Sequence, residues 1–374
     1  MPRASSRGTA RPGMYWLFGV MTLSALGVML GAFYRVSIIT FFLCFTYVEL
    51  IDKTYYLNHY YFVSLAAFLF CLVPANAAFS ADSWRRPERR RDVLPRWTLD
   101  IFKVQIGIVY LYAGLAKITS SWLIDAMPLR IWLPAHADMP VLGPLFALPW
   151  VPWVFAWAGM FYDVSVPFFL AWRRTRLVAY AAVIVFHVIT GLLFQIGVFP
   201  IVMIGMTLVF FVDPSAPSMQ TPDLPRPRAI VRWALVAYVV IQLLVPWRFL
   251  LYPGELFWTE EGYRFSWRVM LMEKAGTALF KVEDRATGRS GYVDNRMFLN
   301  EHQEKQMAMQ PDMVVQFAHV LHRHYAALGM TDPKVTAEVW VTLNGAPSAL
   351  LVDPHRDLAR ESLGIHRSDW IMPR

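Results

Sequence analysis

The feature that most constrains this chain is a series of apolar runs, each close to the length that an α-helix needs to cross a lipid bilayer. A membrane helix takes about 20 predominantly apolar residues. The runs lie at Tyr15–Tyr34, Val36–Ile51, Tyr60–Phe79, Leu99–Ile118, Trp150–Trp172, Leu177–Ile196, Val198–Val212 and Ile230–Leu250. The second and seventh runs are short, so we expect them to be tilted or re-entrant. The pattern predicts a mainly α-helical integral membrane bundle of about eight spans.

The composition supports a membrane protein and excludes several other classes. Of the 374 residues, 56% are hydrophobic and 17% are charged, whereas soluble domains carry about 25% charged residues. This balance excludes a disordered chain and a coiled coil. The net charge of +8 does not indicate a nucleic-acid partner, because the arginines cluster in loops between apolar runs. Cys44 and Cys71 both lie in apolar runs, which excludes a disulfide framework and a Cys-rich metal site.

The chain divides into a basic leader (1–13), a helical bundle (14–251) and a soluble domain (252–374), because charged residues become common after Tyr252. The soluble domain is predicted to be α+β. Its elements are a hairpin of Thr277–Glu283 and Ser290–Val293, a helix at Asp312–Leu328 and a strand at Val335–Leu343. Within the bundle, Met127–Pro149 is rich in proline and is predicted to form an interfacial loop.

The distribution of arginines predicts the topology, because Lys and Arg concentrate in cytoplasmic loops. The loop Ser80–Trp97 carries six arginines and is placed inside. Counting spans forward also places Arg173, Arg174, Arg176, Arg226 and Arg228 inside, and it places the soluble domain on the outer side. Counting backward places Met1–Gly13, with three arginines, outside. One further upstream helix would remove this conflict.

Ionisable residues within apolar runs are candidates for function, because each costs about 2.5–3.5 kcal/mol to insert. Lys117 ends the fourth run, where it either snorkels to the interface or is a partly desolvated amine able to act as a general base. His59 lies at the outer end of the third run, so it can meet Lys117 at one depth, or it is an interfacial histidine bonded to water. His187 either bonds to a neighbouring helix or lines a pocket. Glu49 and Asp163 are interpreted as structural.

Motifs for metals and nucleotides are absent from the sequence. It contains no HExxH, no CxxC pair, no GxGxxG and no Walker motif. His319, His322 and His324 cluster on the predicted helix of the soluble domain, and the first two could share a face. A zinc site there lacks further obvious ligands, so we predict no metal.

Short motifs spread over nearly the whole chain carry a family resemblance. In the membrane part they are Asp52-Lys53-Thr54, Asn58-His59, Ile108-Val109-Tyr110, Ala113-Gly114-Leu115-Ala116-Lys117, Trp122, Phe186-His187 and Leu193-Phe194-Gln195-Ile196-Gly197-Val198-Phe199. In the soluble part they are Trp258-Thr259, Gly262-Tyr263, Phe265-Ser266-Trp267, Gly288 and Gly291-Tyr292. With these motifs the chain resembles the vitamin K-dependent γ-carboxylase family, whose membrane part is also called the horizontally transferred transmembrane domain (HTTM).

The resemblance implies a γ-glutamyl carboxylase that couples epoxidation of reduced vitamin K by O2 to carboxylation of glutamate in a polypeptide by CO2. Lys117 aligns with the lysine that deprotonates the hydroquinone. His59 and Asn58 align with residues held to stabilise charge in that step. His187, Tyr110 and Thr190 are the predicted cofactor-binding residues. The implied partners are the lipid bilayer, the quinone and a glutamate-containing polypeptide.

The chain also departs from the family pattern. From the resemblance we expect it to begin at the family's second span, as a member that lacks the first span or has a misassigned start. Thr190 stands where the family often has asparagine. No cysteine follows Cys71, so the cysteine pair of animal relatives is absent. This suits a bacterial-type member, for which menaquinone is the expected quinone.

The chemistry is consistent with this assignment on physical grounds. A γ-C–H beside a carboxylate is too weak an acid for any side-chain base, whereas Lys117 need only deprotonate a phenol-like hydroxyl with a pKa near 10. A dry pocket protects the stronger base that oxidation supplies. Two alternatives stay open: a quinone epoxidase or oxidase without carboxylation, and a non-catalytic membrane protein that binds lipid or quinone, in which Lys117 only snorkels.

Overall fold

The computed structural model describes residues 12–194, 196–212, 227–362, 364 and 368–374. Residues 1–11 of the predicted leader, Gln195 and Arg226 lie outside the described residues. The α-helices are α1 Pro12–Leu30, α2 Tyr34–Ile51, α3 Asn58–Leu72, α4 Ala81–Arg85, α5 Trp97–Leu115, α6 Ser120–Leu123, α7 Leu129–Trp132, α8 Gly143–Phe146, α9 Val151–Ala171, α10 Arg176–Leu193, α11 Phe199–Thr207, α12 Ala229–Leu244, α13 Leu256–Thr259, α14 Glu301–Met309 and α15 Pro311–Ala327. The strands are β1 Lys274–Glu283, β2 Ser290–Tyr292, β3 Lys334–Leu343 and β4 Ala349–Leu350.

Each of the eight predicted apolar runs contains a helix, and six of these helices in the described residues are long and apolar enough to cross a membrane. They are α1, α2, α5, α9, α10 and α12, the last continued by a 3₁₀ helix to Leu251. The other two, α3 and α11 with its 3₁₀ continuation to Phe211, are shorter. The chain is thus mainly helical with a membrane-type bundle, as predicted.

Two of the sequence predictions about span length are wrong. The second run is not short, because α2 includes Tyr34 and Arg35 and reaches 18 residues. The third run does not reach Phe79, because α3 ends at Leu72 and Val73 is extended (φ −101°, ψ 151°). Pro74 follows, and a residue before proline is driven out of the helical region by a clash with the proline ring.

The chain forms two compact units. Of the described residues, the first unit comprises those within 12–115 and 159–243, and the second comprises those within 116–158 and 244–374. Within the first unit a cluster of buried apolar side chains joins α3, α5 and α12; its members are Leu69, Val73, Ile101, Phe102 and Tyr238. The Tyr238 hydroxyl also donates to Oε1 of Gln105 over 2.6 Å, which ties α12 to α5.

The C-terminal part of the second unit has the predicted α+β fold. Its antiparallel sheet has the order β2-β1-β3-β4, and the predicted hairpin is β1–β2. One face of β3 is buried, as its alternating pattern requires; the inward residues are Val335, Ala337, Val339, Val341 and Leu343. Helices α14 and α15 cover this face, where the Phe280 and Phe317 rings meet edge-on at 4.9 Å.

Residues 116–158 belong to the same unit as the α+β domain. The Asn344 side-chain amide donates to the Ser121 hydroxyl over 3.1 Å, and the Trp132 indole donates to the Glu273 carboxylate. The predicted interfacial loop, Met127–Pro149, contains the short helices α7 and α8.

Asp82 stabilises the start of α2 from a distant point in the sequence. Its two carboxylate oxygens accept hydrogen bonds from the backbone N–H groups of Phe33 and Tyr34, each over 2.9 Å. Asn76 donates a third over 3.0 Å. Partial burial raises the pKa of Asp82, but these hydrogen bonds and nearby Arg85 outweigh it and hold the pKa below its usual value. An acid from the arginine-rich loop therefore caps a membrane helix.

We expect Asp82→Ala to lower the stability of the protein by about 1–2 kcal/mol, the usual loss for removal of an N-cap. Because the pKa of Asp82 is lowered by folding, its stabilisation is present above the usual value of 3.8 and is lost as pH falls through the folded value. The melting temperatures of the variant and the wild type should thus differ at pH 6 and converge in acid. Asp92→Ala is the control, since Asp92 is exposed. A difference in melting temperature between Asp82→Ala and the wild type that stays constant down to pH 2.5 would contradict this role of Asp82.

Candidate functional site

A buried hydrogen bond joins two of the predicted cofactor-binding residues in the first unit. The Tyr110 hydroxyl on α5 lies 2.8 Å from Nε2 of His187 on α10, and the two residues are 2% and 3% exposed. Nδ1 of His187 has no hydrogen-bond partner among the described residues. A neutral imidazole has one donor and one acceptor nitrogen. His187 therefore binds its neighbouring helix through one nitrogen, and its other nitrogen is without a partner among the described residues.

Aromatic rings surround this hydrogen bond. The Tyr162 ring on α9 meets Tyr110 edge-on at 5.9 Å and stacks on Phe186 at 4.2 Å. The Phe186 ring in turn meets His187 at 5.4 Å. The sequence analysis did not identify Tyr162; its position beside the in-span acid Asp163 was the available signal. The rings exclude water from the imidazole, which strengthens its polar interactions.

Phe199 connects the two predicted histidines. The ring of His59, at the start of α3, has its centroid 5.7 Å from that of Phe199, and the His187 ring lies 5.8 Å from the same ring. Phe199 begins α11, directly after a turn in which Gly197 has a φ of +56°, a conformation that favours glycine. The Leu193–Phe199 motif thus places an aromatic ring between two imidazoles.

The remaining predicted residues of the first unit make local contacts. Asn58 is the first residue of α3, and its side-chain oxygen accepts a hydrogen bond from the Tyr56 hydroxyl over 3.1 Å. The Thr190 hydroxyl donates to the backbone carbonyl of Phe186, in its own helix, over 2.9 Å. The donor of Thr190 is therefore used within α10, and only its oxygen lone pairs remain for a cofactor. The roles of both residues stay predictions.

Lys117 lies in the second unit, two residues after the end of α5. It is 6% exposed, and its Nζ lies 5.5 Å from the centroid of the Trp122 ring, within the range of a cation–π contact. A snorkelling lysine keeps its ammonium group in water. The burial of Lys117 favours the other interpretation, a sheltered amine. That Lys117 and His59 act at one site stays a prediction.

Indole hydrogen bonds fix the backbone that follows Lys117. Trp122 donates to the Ala156 carbonyl over 2.9 Å. Trp153 donates to the Ile124 carbonyl over 2.7 Å, and Trp157 donates to the Leu123 carbonyl over 3.1 Å. These bonds hold the turn after Lys117 against the first turns of α9. Sequence periodicity gives no signal for them, because the partners are backbone atoms about 30 residues away.

Gly114, in the motif that leads to Lys117, allows α5 and α9 to approach closely within the first unit. A Cβ atom at this position would lie 2.6 Å from Cγ2 of Val164 and 2.7 Å from its backbone nitrogen. Backbone atoms cannot move aside as a flexible side chain can. Glycine is therefore required here by the space between two helices, next to the buried Asp163.

A buried ion pair lies beneath the sheet of the second unit. Lys274 Nζ donates to Oε1 of Glu260 over 2.9 Å and to the Trp258 carbonyl over 2.8 Å. Burial lowers the pKa of Lys274 and raises that of Glu260, because each charged form loses its hydration. The sequence analysis missed this pair. The available signal was a lysine at an inward position of β1, on the same face as Phe280 and Val282.

The backbone of the segment around this ion pair has an unusual conformation. Positive φ angles occur at Glu260 (55°), Phe265 (61°), Trp267 (58°) and Met270 (54°), a conformation that costs roughly 1–2 kcal/mol for a residue other than glycine. Gly262 also has a positive φ, and a Cβ there would lie 2.6 Å from Cα of Phe249. Concentrated strain of this kind is typical of functional segments.

The histidines of α15 form hydrogen bonds within the protein. His319 Nε2 lies 2.9 Å from the Glu361 carbonyl, and His322 Nδ1 lies 2.8 Å from the Pro333 carbonyl. The His324 ring meets Phe298 edge-on at 4.8 Å. The part of the chain that the structure describes contains no group of three or more His, Cys, Asp or Glu side chains placed to hold a metal.

We expect Tyr110→Phe to lower the free energy of unfolding by about 1 kcal/mol, because it leaves Nε2 of His187 without its partner inside the bundle. Unfolding in mixed detergent micelles measures this loss. Tyr47→Phe is the matched control, since Tyr47 is 58% exposed. Equal stability of the two variants would show that the hydrogen bond contributes nothing.

Gly114→Ala should destabilise the bundle by about 1–3 kcal/mol through overpacking against the Val164 backbone. Gly159→Ala, on α9, is the control, because nothing lies within 4 Å of the added Cβ. Thermal unfolding in detergent compares the two variants. If Gly114→Ala is as stable as the control, the helices do not pack as closely as described.

Two comparisons with known families cover both parts of the chain. Residues 7–215 match the HTTM domain family. Residues 227–374 match the family described as "Vitamin K-dependent gamma-carboxylase, lumenal domain". No solved structure matches the chain. His59, Tyr110, Lys117 and His187 fall within the first match, and the strained segment with Lys274 falls within the second. The chain belongs to the vitamin K-dependent γ-carboxylase family.

Proposed function

We propose that this protein is a γ-glutamyl carboxylase that oxidises a reduced naphthoquinone, vitamin K or menaquinone, and carboxylates glutamate in a polypeptide. The observation that carries the proposal is the burial of Lys117 against Trp122, at the lysine of a motif that the family shares. When bound, the reduced quinone supplies, through its oxidation by O2, a base strong enough to remove the γ-proton of glutamate so that CO2 can add. The family of the chain supports vitamin K as the cofactor.

The residues of the first unit fit a planar aromatic ring with an oxygen substituent. Nδ1 of His187 is buried and lacks a partner among the described residues, so it can donate to or accept from such an oxygen. Its partner Tyr110 fixes the imidazole through Nε2, and the rings of Phe186 and Phe199 offer apolar faces. In this proposal His187 and Tyr110 hold the quinone, and the aromatic rings keep water away.

Lys117 is proposed to accept a proton at Nζ from a hydroxyl of the reduced quinone. A phenolic hydroxyl has a pKa of about 10, so an amine held beside it is a suitable proton acceptor. The Trp122 indole bound to the Ala156 carbonyl positions the turn that carries Lys117. His59 and Asn58 are proposed to stabilise the negative charge that results.

The C-terminal domain is proposed to lie on the non-cytoplasmic side and to hold the polypeptide substrate. Two independent features support this side. The family matched by residues 227–374, which include the last apolar helix and all that follows it, is described as a lumenal domain. By the positive-inside rule the arginine-rich loops favour the cytoplasm at the opposite end of the spans. The strained segment 260–270 is the part of this domain in which we expect substrate contacts.

We expect Lys117→Ala to lower the rate of quinone epoxide formation by roughly 10²–10⁴, the usual contribution of a general base. The assay supplies purified protein with vitamin K hydroquinone, O2, labelled bicarbonate and a glutamate peptide, and measures epoxide and label separately. Raising the pH toward 10 should restore much of the rate in the variant, because the hydroquinone then ionises without help.

Lys305→Ala is the matched control, since Lys305 is an exposed lysine of the soluble domain. It should keep the wild-type rate. Full epoxidation by Lys117→Ala at neutral pH would refute the proposed role of Lys117. Epoxide without incorporation of label would identify a quinone epoxidase that does not carboxylate. Folded wild-type protein that forms no epoxide would refute the proposed function.

A further inference from the structure

A cavity lies in the first unit near the start of α5, away from the histidines. Its volume is about 520 Å³, and its walls come from the start of α5, the end of α9, the start of α10 and Phe210. Four cationic side chains line it: Arg96, Lys103, Arg173 and Arg176. Asp100 is the acidic residue among the described lining residues.

Among the described residues that line this cavity, the cationic side chains outnumber the acidic ones. Asp100 accepts from Arg96 Nε over 3.1 Å and lies 3.8 Å from Lys103 Nζ, so one carboxylate is shared between two cations. The charges of Arg96 and Arg176 also act on Lys103, which they repel. An anion placed among these side chains would remove this repulsion.

Arg176 is held in place by the end of α9. Its Nε donates to the Leu170 carbonyl over 2.9 Å, and its guanidinium lies 6.0 Å from the Phe211 ring. A cation at a helix C-terminus is favoured by the helix dipole. The position of this charge is therefore set by the fold before any ligand arrives.

The rest of the cavity wall is apolar and continues to exposed side chains of α5 and α9. Pro167 and Phe210 are buried, whereas Phe168 on α9 is 63% exposed and Val104 on α5 is 43% exposed. These exposed side chains lie on apolar helices of spanning length. The cavity thus combines a cationic rim with an apolar wall that extends to the exposed faces of two helices of membrane-spanning length.

We propose that this cavity binds an anionic phospholipid, whose phosphate lies among Lys103, Arg173 and Arg176 and whose acyl chain lies along Val104 and Phe168. A basic pocket between membrane helices on the cytoplasmic side is the usual setting for such a headgroup, and the arginine-rich loops place this end of α5 on that side. A quinone fits less well, because it has no charge to match the rim. The proposal is independent of the proposed catalytic function.

The test measures the binding of defined lipids to the full-length protein in detergent by native mass spectrometry. The probes are phosphatidylglycerol, phosphatidylcholine with the same acyl chains, and inorganic phosphate. We expect tighter binding of phosphatidylglycerol than of phosphatidylcholine. The double variant Lys103→Gln/Arg173→Gln should weaken phosphatidylglycerol binding roughly 30-fold, because each cation contributes about 1 kcal/mol.

Arg86→Gln/Arg89→Gln is the matched control, since it removes the same charge from exposed positions of the same basic region. It should bind phosphatidylglycerol as the wild type does. If the double variant does not fold, Arg173→Gln alone, at an exposed position, should weaken binding roughly fivefold. Equal binding of the two lipids, or equal loss in the control, would overturn the proposal. Binding of inorganic phosphate as tight as that of phosphatidylglycerol would also overturn it, since the ligand would then be a free anion.

Discussion

A polar side chain inside a membrane bundle has no water to bond, so its partner must come from the protein or from a ligand. Several buried pairs of the first unit follow this constraint. Tyr238 binds Gln105, Glu49 accepts from Ser64, and Tyr110 binds His187. Other buried atoms of the same unit, Nδ1 of His187 among them, have no protein partner among the described residues. The proposed quinone chemistry depends on where one such atom lies, because Nδ1 of His187 is available to bond an oxygen of the quinone.

Much of the fold follows from local sequence patterns. Apolar runs predicted the bundle helices, and Pro74 accounts for the early end of α3. The alternation of β3 predicted both its extent and its buried face. Contacts between distant segments could not be predicted in this way. Asp82 caps α2 from 48 residues away, and three indoles bind backbone carbonyls, because hydrophobic periodicity reports the environment of a residue but not the identity of its partner.

The sequence points to candidate residues for the site, but it does not show how those residues are arranged. The sequence points to His59, His187 and Lys117 as candidates because ionisable groups are costly in apolar runs, and their roles stay predictions. It did not show that Phe199 lies between the two imidazoles, since this contact depends on the turn at Gly197. The wrong length of the third run has a related cause: a count of apolar residues does not locate the helix-ending effect of a single proline.

The ion pair of Lys274 and Glu260 has an evolutionary consequence. Either partner alone would be a buried, uncompensated charge, and losing one member of such a pair typically costs about 3–5 kcal/mol. Replacing both with apolar residues of similar volume costs far less. Single substitutions at these two positions are therefore selected against even where the double change is tolerated. During evolution the two residues should change together or both stay unchanged.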